Sequence, residues 1–300
     1  MGRQGIVLID KGQGITSRKV VDQVMRILNV RRAGHFGSLD PFATGLLCVG
    51  LGQGTKLLPF MHDQQKEYIA TIGFDMNTDT DDVTGAPLER FPNVSIDGEK
   101  ARAWFLNNLG WISQVPPKYC AQKYQGKPLY KLSRANMDVQ PREKRVHIVE
   151  AEILGFGPDW MEVRIVCSRG TYIRAIARDL GAYLGFGGYL RELRRLRSEG
   201  FHLEDALTLE ELREKADAGE EVVIPLSGAL HIPKSRVIPA GQKAILEGNP
   251  IQFSWMKDEV EVSEGKHVAM MSLDGQLLCV ARYQPSGGIW GYIERGFRPD

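Results

Sequence analysis

A single carboxylate, Asp40, stands in the segment Gly34-His35-Phe36-Gly37-Ser38-Leu39-Asp40-Pro41-Phe42-Ala43-Thr44-Gly45, which is dense in glycine and proline and runs on into Leu46-Leu47-Cys48-Val49-Gly50. Glycine admits backbone angles that other residues avoid and proline fixes φ, so this composition builds a rigid, non-repetitive loop. A loop that only connects needs no apolar side chains, and this one carries Phe36, Leu39 and Phe42. An Asp held among apolar groups is a candidate for chemistry, because burial and a cationic neighbour together set its reactivity. On spacing alone Asp40 serves equally as the N-cap of a helix beginning near Pro41, since Asp-Pro is a good N-cap and N1 pair.

The elements that must position this loop are legible on both sides of it. Ile6–Ile9 reads as a short buried strand; after the turn Lys11–Gly14, Thr16 or Ser17 caps a helix with Val20, Val21, Val24, Met25 and Leu28 on its apolar face. Beyond the loop, Gly52–Lys56 leads into a further helical stretch. Glu67–Phe74 and Met161–Cys167 alternate as strands. Ser168–Thr171 turns the second of these into a helix from Tyr172 to about Tyr183. Pro116-Pro117 closes a helix around Lys100–Leu109 and opens a tract in which Tyr119, Tyr124 and Tyr130 interleave with lysines. Thr208-Leu209-Glu210-Glu211 is a capping box that starts a helix running to about Ala218. Asp75–Asp82 has the carboxylates of a calcium loop without the glycine at the sixth position, so a polar turn with Asx-type hydrogen bonds is the better reading. From about Ile232 short valine-rich segments alternate with turn residues, and Asp274-Gly275 marks a hairpin, the pattern of a small β barrel.

Composition bounds the function. Three hundred residues allow a large domain and a small one, and 43% hydrophobic with 25% charged residues is ordinary for a globular protein. No apolar run approaches the roughly 18 residues of a membrane span, and the N-terminus has no sustained apolar core of a secretory signal. Cys48, Cys120, Cys167 and Cys279 are scattered without a C-x-x-C pair, which reads as reduced thiols in a cytoplasmic protein, with no metal site and no disulfide framework. The net charge of +1 argues against a nucleic-acid partner, but its distribution argues for one. Eight Lys/Arg lie between Lys118 and Arg145 against Asp138 and Glu143, and seven Arg between Arg169 and Arg197 against Asp179 and Glu192. Two such tracts on a near-neutral protein suit a phosphate backbone on one face.

The segment Gly34–Gly45 resembles the motif G-H-T-G-T-L-D-P-x-A-T-G of the TruB family of pseudouridine synthases, with Phe36 in the place of Thr and Ser38 in the place of a small residue, often Thr. Four further segments resemble the family in order: Lys66-Glu67-Tyr68; Pro116–Lys123 with Gly126, Tyr130 and Arg134; Cys167–Arg174; and Gly187–Arg195. The N-terminal strand–turn–helix is similar too, with Gly12 in the place of Pro. This resemblance implies an α/β (α+β) fold, a mixed-sheet catalytic domain over residues 1–231 with an RNA-gripping insertion at about 118–145, and a PUA-like RNA-binding barrel over 232–300. It implies conversion of uridine 55 in the T-arm of tRNA to pseudouridine by a monomer, with no cofactor and no metal. Asp40 would supply the catalytic carboxylate, Arg174 its ion-pair partner and Tyr68 the aromatic stacked on the flipped base. Tyr172 would line the pocket, Leu193 would touch the base, and His35 would fill the space the nucleotide leaves. Lys123, Arg134, Arg194 and Arg195 would grip the RNA backbone, although arginines 191–197 read equally as a solvated helix face. Pairing with Arg174 should hold the Asp40 pKa down against burial.

Two other readings stay open on the residues. A tRNA-binding chaperone would use the same basic tracts with catalysis secondary. A guide-dependent synthase subunit would share the motifs, whereas the short N-terminus without a basic extension favours a stand-alone form. A metal-dependent hydrolase built on His35, Asp40 and His62 fits no standard ligand spacing.

Overall fold

Strand-forming runs dominate the chain, and most of them enter one sheet. The computed structural model describes residues 3–61, 65–120 and 141–298, together with the backbone of 123–124 and 127–128. In chain order the elements are β1 (Gly5–Lys11), α1 (Ser17–Ile27), β2 (Ala33–His35), β3 (Thr44–Leu51), β4 (Gln65–Gly73), β5 (Met76–Thr78), β6 (Pro87–Arg90), α2 (Gly98–Asn107), β7 (Gly110–Gln114), β8 (Lys123–Tyr124), β9 (Lys127–Pro128), β10 (Lys144–Phe156), β11 (Trp160–Ser168), α3 (Ile173–Leu184), β12 (Tyr189–Ser198), β13 (Phe201–His202) and α4 (Leu209–Asp217). Then follow β14 (Lys234–Arg236), α5 (Pro239–Leu246), β15 (Ile251–Gln252), β16 (His267–Met271), β17 (Leu277–Ser286) and β18 (Ile289–Gly296).

The main sheet runs β1-β3-β12-β4-β11-β10-β7, with β2 on β3 and β13 on β12. Its pairs are antiparallel except β3–β12, which is parallel, so the sheet is mixed, as expected. Tyr68, Ala70 and Ile72 of β4 alternate onto one face, where they meet Val163 and Ile165 of β11, Ile176 and Leu180 of α3 and Trp104 and Phe105 of α2. At the other end of the sheet, Val7 and Ile9 of β1 and Leu47 and Val49 of β3 pack on Val20, Val21 and Val24 of α1 and Leu212 of α4.

The second sheet, β14-β16-β17-β18-β15, holds the hairpin expected at Asp274-Gly275. It does not stand apart. Ala269, Met271, Leu277, Val280 and Phe297 share one core with Ile6, Leu8, Phe36, Leu46, Cys48 and Phe60. β1 and β3 are therefore covered on both faces, by α1 and α4 on one and by the second sheet on the other. A strand buried on both faces reads as a continuous apolar run, which is why Leu46–Leu51 does not alternate.

This arrangement corrects three expectations. Asp40-Pro41 opens no helix: Ala43 N donates to Asp40 O at 3.1 Å to close a turn, and β3 begins at Thr44. The helix placed at Lys100–Leu109 ends at Asn107, and β7 intervenes before Pro116. The arginine tract 191–197 is not a helix face but strand β12, hydrogen-bonded on both edges. The capping box at Thr208 is present as expected, its Oγ1 accepting from Glu211 N at 3.2 Å.

Candidate active site

The loop carrying Asp40 is tied down by buried polar side chains. Ser17, in the first turn of α1, both accepts from Leu39 N at 2.9 Å and donates to Leu39 O at 3.0 Å. Lys11, fully buried at the end of β1, donates to Gly12 O, Ile15 O and Pro41 O at 2.9, 2.9 and 3.2 Å. Burial lowers its ammonium to about 8, against the pull of Asp40. Arg195 donates to Leu46 O at 2.7 Å, Gly37 O at 3.2 Å and Ser38 O at 3.5 Å. Gly45 has φ +99 and lies so close to β12 that a Cβ there would be 2.4 Å from Arg195 O, so only glycine admits this strand approach. Each of these bonds removes freedom from the loop and thereby fixes Asp40 relative to the sheet.

Arg174, in the first turn of α3, closes on the loop from the other side. Its Nε lies 3.0 Å from Asp40 Oδ2 and its Nη2 3.4 Å from Asp40 Oδ1, a two-pronged contact. The remaining prongs are also used: Nη1 donates to Thr80 O at 2.9 Å and lies 3.4 Å from Asp82 Oδ2, and Nη2 donates to Tyr119 O at 3.0 Å. Asp82 is held in turn by Thr80 Oγ1, Thr84 N and Thr84 Oγ1 at 2.8, 2.9 and 2.6 Å. The Asx turn anticipated over Asp75–Asp82 thus exists, but its last carboxylate belongs to the site.

Arg174 is almost wholly buried, whereas Asp40 keeps 38% of its side chain open to a cavity of about 880 Å³. His35, Tyr68, Tyr172 and Leu193 join Asp40 and Arg174 in its wall. Six residues from four separate stretches of sequence therefore meet around one cavity. Tyr68 is buried, with the Arg195 charge nearby; burial pushes the phenol up to about 12, so it is protonated at neutral pH. Burial also lowers the His35 imidazole, helped by Arg195, Arg18 and Lys66, and favours the neutral ring.

The Asp40 carboxyl departs from expectation. Burial raises its pKa; Arg174 opposes this by charge and hydrogen bond, Asp82 reinforces it, and the net direction is upward. The physical reason is that one guanidinium is divided between two carboxylates, so Asp40 receives only part of its compensation.

The arginine assignments need a second correction. Arg195 is 0% exposed and cannot touch an RNA backbone; it braces the Asp40 loop instead. Arg194 remains half-exposed but is bonded to Asp10 at 2.8 Å, and Arg191 is held by Asp75 and Asp159, each at 2.7 Å. Lys123 lies in β8, with its side chain outside the described residues, and Arg134 lies outside them altogether. Asp82 and Lys11 join the site without standing among the expected site residues; the signals for them in the sequence are the run Thr78-x-Thr80-x-Asp82-x-x-Gly85 and the turn Lys11–Gly14. Among the described residues no cluster of His, Cys, Asp or Glu has metal-holding geometry, and no helix is long and apolar enough to cross a membrane.

Two family models match the chain consecutively: "TruB family pseudouridylate synthase (N terminal domain)" over residues 25–173, and "tRNA pseudouridylate synthase B C-terminal domain" over 174–231. With a mixed sheet carrying the Asp40 loop against Arg174, this defines the protein as a pseudouridylate synthase. The relative named tRNA pseudouridine synthase B from Syntrophotalea carbinolica is 36% identical over 94% of this chain and 92% of its own length. The one from Thermobifida fusca is 38% identical over 92% and 94%. The chain belongs to the TruB family. Among solved structures, a crystal structure of a Cbf5-Nop10-Gar1 complex is similar at TM-score 0.75 and 25% identity, over 98% of this chain and 85% of that one. The structure of an H/ACA RNP bound to a substrate RNA containing 2'-deoxyuridine matches at TM-score 0.75 and 24% identity over the same shares, a likeness of fold.

Proposed function

We propose that this enzyme isomerises uridine 55 in the T-arm of tRNA, taking the uridine flipped out of the RNA into the cavity described above. The observation that carries the reading is the Asp40–Arg174 pair at 3.0 Å, open to a cavity walled by Tyr68, Tyr172 and Leu193. Curated relatives named tRNA pseudouridine synthase B support tRNA as the substrate.

Pseudouridine formation breaks the N1–C1′ bond, turns the uracil and rejoins it to the sugar through C5; the C5 proton is released to solvent and N1 takes one up in its place. Atoms and charge balance without an external reactant. The step needs an ionised carboxylate beside the sugar and the base, acting as nucleophile or as base, and Asp40 is that group. Arg174 keeps it oriented and charged. Tyr68 stacks on the uracil, an interaction worth roughly 1–3 kcal/mol per base that helps offset the cost of flipping. Tyr172 and Leu193 enclose the base, and His35 occupies the space it vacates. Residues 1–231 form the catalytic domain, whose insertion at about 118–145, with Lys123 and Arg134, grips the T-stem. Residues 232–300 act as a PUA-like RNA-binding unit fused to it.

The test is tritium release from tRNA labelled at uracil C5, for wild type and for Asp40→Asn, with the modified position mapped. Release by wild type alone, at position 55, is the expected result. Turnover by a clean Asp40→Asn protein would remove Asp40 from the chemistry. Tight tRNA binding without release by either protein would move the reading to an RNA chaperone.

A further inference from the structure

Lys66 lies in β4 two residues before Tyr68, so its side chain leaves the same face of the strand and joins the same cavity wall. Its ammonium presses against the loop that carries Asp40: a Cβ at Gly37, where φ is +109, would lie 2.6 Å from Lys66 Nζ. Among the described residues Lys66 Nζ makes neither a hydrogen bond nor an ion pair. The neighbouring carboxylate that acts on it, Glu199, is almost fully buried and bonded by Arg169 through Nε and Nη2. Lys66, Arg169 and Arg195 therefore face one committed carboxylate, and the corner carries excess positive charge.

A second observation lies beside it. His35 Nδ1 is buried in the same cavity wall with no hydrogen-bond partner. Buried polar atoms are rarely left unpaired, so an orphan nitrogen next to an orphan ammonium marks a missing acceptor. Arg18 extends the positive potential to the mouth, with 70% of its side chain exposed beyond its contact with Asp22. Uracil and ribose carry no formal charge; the anion that an RNA substrate brings is its phosphodiester.

We propose that Lys66, with His35 and Arg18 beside it, forms a phosphate-binding corner of the cavity that holds a phosphodiester flanking the target uridine, an inference that rests on the reading of function above. Without RNA this corner is costly. Burial, aided by Arg195, lowers the Lys66 ammonium to about 8, so the folded state binds that proton less well than the unfolded chain does. The penalty is present at neutral pH and disappears as pH rises above about 8 toward the unfolded value. A phosphate placed against Nζ supplies the missing partner and completes a charge-assisted bond.

The experiment compares wild type with Lys66→Met and Lys66→Gln, using a T-arm stem-loop RNA and versions with a single neutral methylphosphonate at each linkage flanking the target. Both variants are expected to bind the all-phosphate RNA about tenfold more weakly, the equivalent of one charge-assisted hydrogen bond. Their log affinity should fall with log salt about one unit less steeply. One methylphosphonate should weaken wild type by a similar factor and the variants hardly at all. Lys66→Met should also melt at a higher temperature than wild type at pH 7, as removal of an unpaired buried charge predicts. An unchanged salt slope, equal sensitivity of wild type and variants to every neutral linkage, or a lower melting temperature in both variants overturns the proposal while leaving wild-type turnover intact. Absence of turnover by wild type would instead defeat the reading of function, and the proposal with it.

Discussion

Asp40 and Asp82 share one guanidinium: Arg174 stands 3.0 Å from the first through Nε and 3.4 Å from the second through Nη1. Asp82 therefore acts on Asp40 without touching it, by orienting Arg174 and by adding a like charge that raises the Asp40 pKa. Asp82→Asn keeps an oxygen for Thr80 and Thr84 but removes the charge. The rate limb that rises as Asp40 ionises should then move to lower pH, measured by single-turnover kinetics from pH 5 upward. A limb that stays in place would show that Asp82 only shapes its turn.

Lys11 has the opposite sign. Its ammonium lowers the Asp40 pKa and also holds Pro41 O at 3.2 Å. Lys11→Met should move the same limb to higher pH and slow turnover by about 10–100-fold through misplacement of the loop. A shift in the same direction as Asp82→Asn would contradict this electrostatic account.

Arg195 separates bracing from RNA gripping. It is fully buried, and three carbonyls of the Asp40 loop and β3 depend on it. Arg195→Met should lower the melting temperature and the rate, since unsatisfied buried acceptors cost about 1–3 kcal/mol each. The salt dependence of RNA binding should not change, because a buried cation releases no counterions from RNA. A shallower salt slope would restore Arg195 to the RNA interface.

Phe36, which departs from the Thr of the motif that Gly34–Gly45 resembles, is 3% exposed and belongs to the core shared by the two sheets. Its ring lies against Gly50, where a Cβ would be 2.9 Å away, and its N donates to Cys48 O at 2.9 Å. Phe36→Ala should cost about 3–5 kcal/mol in urea unfolding followed at equilibrium. A loss well below 1 kcal/mol would mean that the two sheets do not depend on this contact.

The sequence by itself determined the local pieces. The caps at Thr16 and Thr208, the alternating strands β4 and β11, the hairpin at Asp274-Gly275 and the loop around Asp40 are properties of short segments, written in nearest neighbours. Family-like motifs also placed Asp40, Tyr68, Tyr172, Arg174 and Leu193 in one site, and the cavity wall contains all five. The tertiary structure decided what depends on partners far along the chain. The apolar run after Pro41 became a strand because α1, α4 and the second sheet cover both its faces. Arg195, indistinguishable in a basic tract from its neighbours, was turned inward by the pleat of β12, opposite Tyr68. The ionisation of Asp40 depends first on its burial, then on Arg174 and on a carboxylate 42 positions away, since Asp82 meets the same guanidinium only after the sheet and α3 have closed around it. Charge interactions act through space, and the distances that govern them exist only in the folded chain.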